Sequence, residues 1–262
     1  MEPWALSSPF TRTRLGLKVN ALQRAAIRRM VDLNVEMAEL WGSLGAPAPG
    51  RAHVVQFVAA RKGEGTSTAA REFAHFAAKR AGRKTWLIDL DLITSPQYQA
   101  IAADPERYGA LGSGTPASPD GSAFFTVQPP APKPDGGVWP DAKYLTAHSI
   151  GGPRFWVTRF NREALRGQQK VHILPGVEYW AALRRHAEII VVDSPSADRS
   201  QAALTLAQHM DQTVLVVSAQ QPDVRPPGLL RDALASAGGR TAGVFFNQAS
   251  VQPPKFLKAI LP

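Results

Sequence analysis

The residues of this chain that could do chemistry are three aspartates, a run of hydroxyls behind two glycines, and one asparagine. Gly63-Glu64-Gly65-Thr66-Ser67-Thr68 follows an apolar run over residues 54–60 and precedes an alanine-rich amphipathic stretch. Glycines let backbone N–H groups close on an anion, and the N-terminus of a following helix adds partial positive charge. Asp89 and Asp91 end the next apolar run, and Asp193, followed by Ser194-Pro195, ends a later one. Such a set suits a magnesium nucleotide, with backbone N–H groups on phosphate and Ser67, Asp89 and Asp193 around the metal or its waters. A single strand-end aspartate often only caps the next helix, whereas several beside a glycine turn argue for a site. A lysine directly after Gly65 would complete the loop. Thr66 stands there instead.

The elements that must hold these groups are legible as alternating runs. Apolar, β-branched strands are expected at residues 54–60, up to Asp89, at 171–174, 188–193, 213–218 and 241–246, with Asn247 ending the last. Helical stretches are expected after Thr68 and at 177–185, 202–209 and 229–237. Near-continuous apolar strands alternating with helices imply an α/β fold, a doubly wound, mostly parallel sheet covered on both faces. Ligands of such sheets bind beyond the carboxyl ends of the strands, where Asp89, Asp91, Asp193, Ser218 and Asn247 all fall. Upstream, Leu22, Ala26, Met30, Leu33, Met37, Leu40 and Leu44 recur at helical steps within 15–44. Residues 1–50 thus form a helical extension and linker, and 51–262 the main domain. Within it, residues 104–152 are rich in Gly, Pro and Ser, and read as an insertion or mobile loop too poor in periodic apolar residues to build a core.

Composition narrows the partners. The 262 residues carry a net charge of +9 and no cysteine, which excludes disulfides and thiolate metal sites. No apolar run is long enough to span a membrane, and the N-terminus lacks a signal-peptide core. Arg12, Arg14, Lys18, Arg24, Arg28 and Arg29 give the first helix a basic face, either simply solvated or facing an anionic membrane surface. The six histidines show no metal-ligand spacing, and no Gly-x-Ser-x-Gly elbow appears.

The ordered motifs resemble the MinD/ParA group of P-loop ATPases and, within it, the cytoplasmic domain of the bacterial tyrosine kinases of capsule and exopolysaccharide export. The family's Pro-Gly-Glu-Gly-Lys-Ser/Thr loop is matched by Lys62-Gly63-Glu64-Gly65-Thr66-Ser67-Thr68, and its Asp-Ala-Asp-Leu-Arg strand end by Asp89-Leu90-Asp91-Leu92-Ile93. Its Asp-x-Pro motif is matched by Asp193-Ser194-Pro195. The likeness covers about residues 50–104 and 170–250. It implies ATP or ADP with Mg on Gly63 to Thr68, the metal at Ser67, Asp89 and Asp193, catalysis through Asp89, Asp91 and Asp193, and Asn247 at the adenine base. Arg61 falls where the group carries its signature lysine, with Lys62 adjacent.

The departures set the functional expectation. Thr66 cannot offset phosphate charge, and phosphoryl transfer is mostly electrostatic, so little or no turnover is expected. No tyrosine follows Tyr179, and no Glu with spaced arginines marks the family's oligomerising helix. The resemblance with these departures implies a cytoplasmic accessory or regulator of exopolysaccharide biosynthesis and export. It would lie at the inner membrane on a polysaccharide co-polymerase or export protein, with a homo-oligomer left open and no nucleotide if the loop is a relic. Two rivals stand beside it. One is a ParA-like positioning ATPase that binds DNA or membrane, although nucleic acid is disfavoured. The other is an active ATPase or tyrosine kinase that uses Arg61 or Lys62.

Overall fold

Val54, Val55, Phe57 and Val58 sit on both faces of one strand, so this strand must be covered on both sides. A computed structural model describes residues 33–45, 47, 50–221 and 223–248, and that strand lies inside its sheet. In chain order the first elements are α1 (Asn34–Leu44), β1 (His53–Ala59), α2 (Thr66–Ala78), β2 (Thr85–Asp89), α3 (Pro96–Ala102) and α4 (Pro105–Tyr108). Then come β3 (Leu111–Pro116), β4 (Phe125–Gln128), β5 (Leu145–Ile150), β6 (Phe155–Phe160) and β7 (Lys170–Ile173). The last are α5 (Val177–His186), β8 (Ile189–Asp193), α6 (Ala202–Leu206), β9 (Gln212–Ser218), α7 (Arg225–Ser236) and β10 (Thr241–Asn247).

Eight strands form one sheet in the order β10-β9-β1-β8-β2-β6-β5-β3. The pairings from β10 to β6 are parallel, and those of β5 with β6 and β3 are antiparallel. The expected α/β, doubly wound, mostly parallel sheet is what the chain forms. Its register brings Asp89 of β2 directly beside Asp193 of β8. Asn247 of β10 likewise lies beside Ser218 of β9.

Helices cover both faces. The buried face of α2 is Ala69, Ala70, Phe73, Ala74 and Ala77, small residues that let its backbone come close to the sheet while Phe73 rests on Phe57 at 5.4 Å. Trp41 of α1 then packs on α2, 6.1 Å from Phe73 and 6.4 Å from Phe76. On the opposite face, Tyr179, Trp180 and Leu183 of α5 cover one half of the sheet. Ala203 of α6 with Leu230 and Leu234 of α7 covers Val58 and Leu215 in the other half. Gln56 is buried on that face and fully matched, donating to Ser194 Oγ and the Ala203 carbonyl and accepting from Thr213 Oγ1.

Several expectations need correction. Residues 104–152 are not a coreless loop. They contribute β3, β4 and β5, and bury Phe124, Phe125, Val127, Tyr144, Leu145, Ala147 and Ile150. Their strands are short and one-sided, so few apolar residues suffice, and apart from Pro105 and Pro116 at element ends the prolines sit in the connections. The sequence also gave no sign of β6 or α3. The strand expected near 171–174 forms, but β7 pairs with β4 in a separate two-stranded ribbon rather than joining the sheet. Helix α7 starts at Arg225, ahead of the expected 229, because Pro226 and Pro227 occupy a first turn where no N–H is needed. Of the expected helix over 15–44, α1 is the described part, with Met37 and Leu44 buried. Its basic residues up to Arg29, and the tail 251–262, lie outside the described residues.

Candidate functional site

The loop between β1 and α2 is shaped by glycine. Gly63 and Gly65 have φ of 92° and 88°, the left-handed region that favours this residue. At Gly65 a Cβ would also overlap the side-chain nitrogen of Asn247. Asn247 Nδ2 donates to the Glu64 carbonyl at 3.0 Å, and Gln248 Nε2 to the Gly63 carbonyl at 3.3 Å. Glu64 itself is buried, its carboxylate accepting the Arg61 N–H at 2.9 Å. Asp198 accepts the Lys62 N–H at 3.2 Å. Thus braced from three sides, the loop leaves the N–H groups of Gly65, Thr66 and Ser67 with no acceptor among the described residues.

Opposite the loop lie the paired aspartates. Asp89 accepts the Asp91 N–H through Oδ1 and the Gln97 N–H through Oδ2, both at 2.9 Å. Its own N–H donates to Thr158 Oγ1 at 3.1 Å. Asp193 Oδ2 accepts from Gln97 Nε2 at 2.7 Å, and the same nitrogen donates to the Ser67 carbonyl at 2.8 Å. The other oxygen, Asp193 Oδ1, is buried without a partner. Burial, and next the charge of Asp193, pushes the Asp89 carboxyl well above its usual pKa, against the pull of the Gln97 and Asp91 N–H groups. Burial likewise raises Asp193, opposed by the Ser67 hydroxyl, the Gln97 amide and Arg71. Two like charges buried side by side call for a proton or a cation between them.

Loop and aspartates enclose a cleft of about 390 Å³, whose charged lining is Arg61, Lys62, Asp89, Asp91, Asp193 and Arg199. Gly63, Gly65, Thr66, Ser67 and Thr68 complete the wall on the loop side. The structure therefore gathers the sequence-derived residues, with two exceptions. Glu64 turns inward to hold the loop, and Asn247, expected at a base, braces the loop from behind. Sequence reasoning missed Gln97, a neutral amide with no motif around it, and Arg199, which follows the Asp193-Ser194-Pro195 motif without belonging to it.

The donor set fits a magnesium-bound polyphosphate. Unmatched N–H groups at a helix N-terminus fit the anion, and the orphaned Asp193 oxygen near Ser67 fits a cation or its water. Thr66 adds no charge to it. No cluster of three or more acidic or histidine ligands exists among the described residues. A cation here would thus depend on phosphate oxygens and water for most of its shell.

Parallel strands, a glycine loop opening α2 and carboxylates on neighbouring strand ends make a P-loop NTPase-like fold of the MinD/ParA type. In particular the chain is similar to the kinase domain of Escherichia coli tyrosine kinase ETK, with a TM-score of 0.50 and 13% identity over 97% of this chain and 86% of that one. It is also similar to the VpsO kinase domain (0.46, 20% identity, 90% and 99% covered). A third likeness is to Mycobacterium smegmatis cobyrinic acid a,c-diamide synthase with bound ATP analog and magnesium (0.49, 10% identity, 80% and 78% covered). The comparison with ETK carries the fold assignment: the chain is bacterial-tyrosine-kinase-like in fold. No family model matches the sequence, and no curated protein matches it.

Proposed function

We propose that this chain is a nucleotide-responsive P-loop protein that regulates exopolysaccharide export and does not itself act as a tyrosine kinase. The observation that carries the nucleotide reading is the buried Asp89–Asp193 pair, with one oxygen unmatched, facing a loop with free N–H groups. When bound, magnesium would offset the charge of the β- and γ-phosphates. The N–H groups of Gly65, Thr66 and Ser67 bind phosphate oxygens. The Ser67 hydroxyl and Asp193 Oδ1 would hold the cation or its waters, and Gln97 fixes the orientation of Asp193. Asp89 is held beside them by the Asp91 and Gln97 N–H groups.

The absence of a lysine at position 66 supports slow or no phosphoryl transfer. The chain's four tyrosines support the same reading. Tyr108, Tyr144 and Tyr179 are buried, and Tyr98 is partly buried against His148 at 4.9 Å. Three of the four are thus withdrawn from solvent as phosphate acceptors. No helix among the described residues is long and apolar enough to cross a membrane. A separate inner-membrane co-polymerase is the partner that the resemblance to the export kinases suggests, with this chain peripheral on its cytoplasmic side.

Calorimetric titration with Mg-ATP and Mg-ADP tests the site. Saturable binding that requires magnesium and is lost in Asp193→Asn is expected, without phosphotyrosine on the chain. No binding by the natural protein, with binding gained by Thr66→Lys, would overturn the nucleotide reading. Co-purification from membranes with a polysaccharide co-polymerase is the expected partner result, and its repeated failure would remove the export assignment.

A further inference from the structure

We propose that Arg199 supplies the positive charge that contacts polyphosphate in this cleft, in the place a lysine at position 66 would fill; the proposal rests on the nucleotide reading above. The backbone around Arg199 is fixed to the loop. After β8, the Ser194 N–H donates to the Phe57 carbonyl at 3.0 Å, Ala197 to Ala59 at 2.9 Å and Asp198 to Ala60 at 3.2 Å. Asp198 in turn accepts the Lys62 N–H. A tight turn, with Arg199 N–H on the Ser196 carbonyl at 2.9 Å, then sets the side chain at the flank of the cleft.

The other cations near the loop are less suited. The guanidinium of Arg61 is drawn away to Asp223 at 3.0 Å. Arg71 of α2 is engaged by Gln97 and Tyr108. Lys62 is a point charge on a flexible stem, exposed as Arg199 also is, but with no carboxylate among the described residues holding it over the cleft. Arg199 lines the cleft, and its contact to Asp91 Oδ2 is long, 3.5 Å. A strong guanidinium–carboxylate hydrogen bond is nearer 2.7–2.9 Å. Asp91 therefore keeps Arg199 across the cleft without saturating it, and most of its five donors are left for an anion. The planar fork matches a phosphate edge better than an ammonium does.

The test is titration of the natural chain, Arg199→Ala, Arg199→Lys and the double variant Thr66→Lys/Arg199→Ala with Mg-ATP, Mg-ADP and AMP, with a melting curve for each variant. Arg199→Ala should weaken ATP about tenfold to a hundredfold, the range of a charged hydrogen bond. AMP should change far less, Arg199→Lys should recover part of the loss, and Thr66→Lys should restore ATP binding to the Arg199→Ala chain. A merely structural role for Arg199 would not be rescued from position 66. Natural-strength ATP binding by Arg199→Ala would overturn the role of Arg199 and leave the nucleotide reading standing. No binding by the natural chain would overturn that reading and this proposal together.

Discussion

The central strands carry buried or half-buried carboxylates at both ends, and the two ends treat them oppositely. At the amino end, Asp211 accepts from Arg184 at 2.6 Å, Arg51 at 3.1 Å and the Val54 N–H at 2.8 Å. Burial alone would raise its pKa, but Arg184, the Val54 N–H and Arg51 outweigh that and hold it below the ordinary value. At the carboxyl end, Asp89 and Asp193 touch no cationic side chain among the described residues, and burial pushes both up, helped at Asp89 by the charge of Asp193 and at Asp193 by that of Asp91. The same residue type is a fastening where both oxygens are matched, and a site where one is not.

The contrast can be broken first at its tied end. Arg184 also donates to the Ala52 and His209 carbonyls. Arg184→Ala should therefore destabilise the fold by about 3 kcal/mol, as expected for a partly buried pair robbed of one partner. Urea unfolding at neutral pH measures this, and a loss under about 1 kcal/mol would erase the distinction between the two ends.

Charge removal at the other end should act in the opposite direction. The folded-state pKa of Asp193 is raised from 3.8 to about 6. The folded chain then binds more protons than the unfolded one across that window, and its stability falls as pH climbs through it. Asp193→Asn keeps an acceptor for Gln97, removes that fall, and should leave the chain about 1–2 kcal/mol more stable near neutral pH. Asp211, with its depressed folded pKa, does the reverse and loses its contribution as pH drops below the ordinary carboxylate range. Parallel stability profiles for the natural and Asp193→Asn chains would mean that the pair is already neutralised.

A smaller effect sharpens the comparison. Millimolar magnesium alone, at mildly alkaline pH, should raise the melting temperature by roughly 1–3 °C through the carboxylate pair, and Asp193→Asn should abolish the rise. An equal rise in both chains would place the cation elsewhere.

The parallel half of the sheet was legible in the sequence because strands buried on both faces must be largely apolar, as β1, β2, β8 and β9 are apart from Gln56, Thr213 and the residues at their ends. The antiparallel half was not. In β5 only Leu145, Ala147 and Ile150 are buried, and β3 reads Leu-Gly-Ser-Gly-Thr-Pro with no buried residue, a pattern shared with ordinary loops. The site divided along a similar line. Groups that carry charge at a strand end, or glycine in a turn, announced themselves at Asp89, Asp193, Gly63 and Gly65. Gln97 and Arg199 matter through where the chain folds back, which neither their types nor their neighbours reveal. Asn247 was picked out by position, yet its amide serves the loop's backbone.

Gln97 has a consequence for how the cleft answers a ligand. Its Nε2 serves two acceptors, Ser67 O and Asp193 Oδ2, while its Oε1 accepts from Arg71 at 3.1 Å. Turned over, the amide would set oxygen against two oxygens and nitrogen against a guanidinium, so only one orientation is allowed. Asparagine at this position would be a methylene too short to span the same gaps, and glutamate would face two acceptors with none of its own hydrogens. The acidic floor of the cleft is thus set in place before any ligand arrives, and the ordering entropy has been spent during folding rather than at the moment of binding.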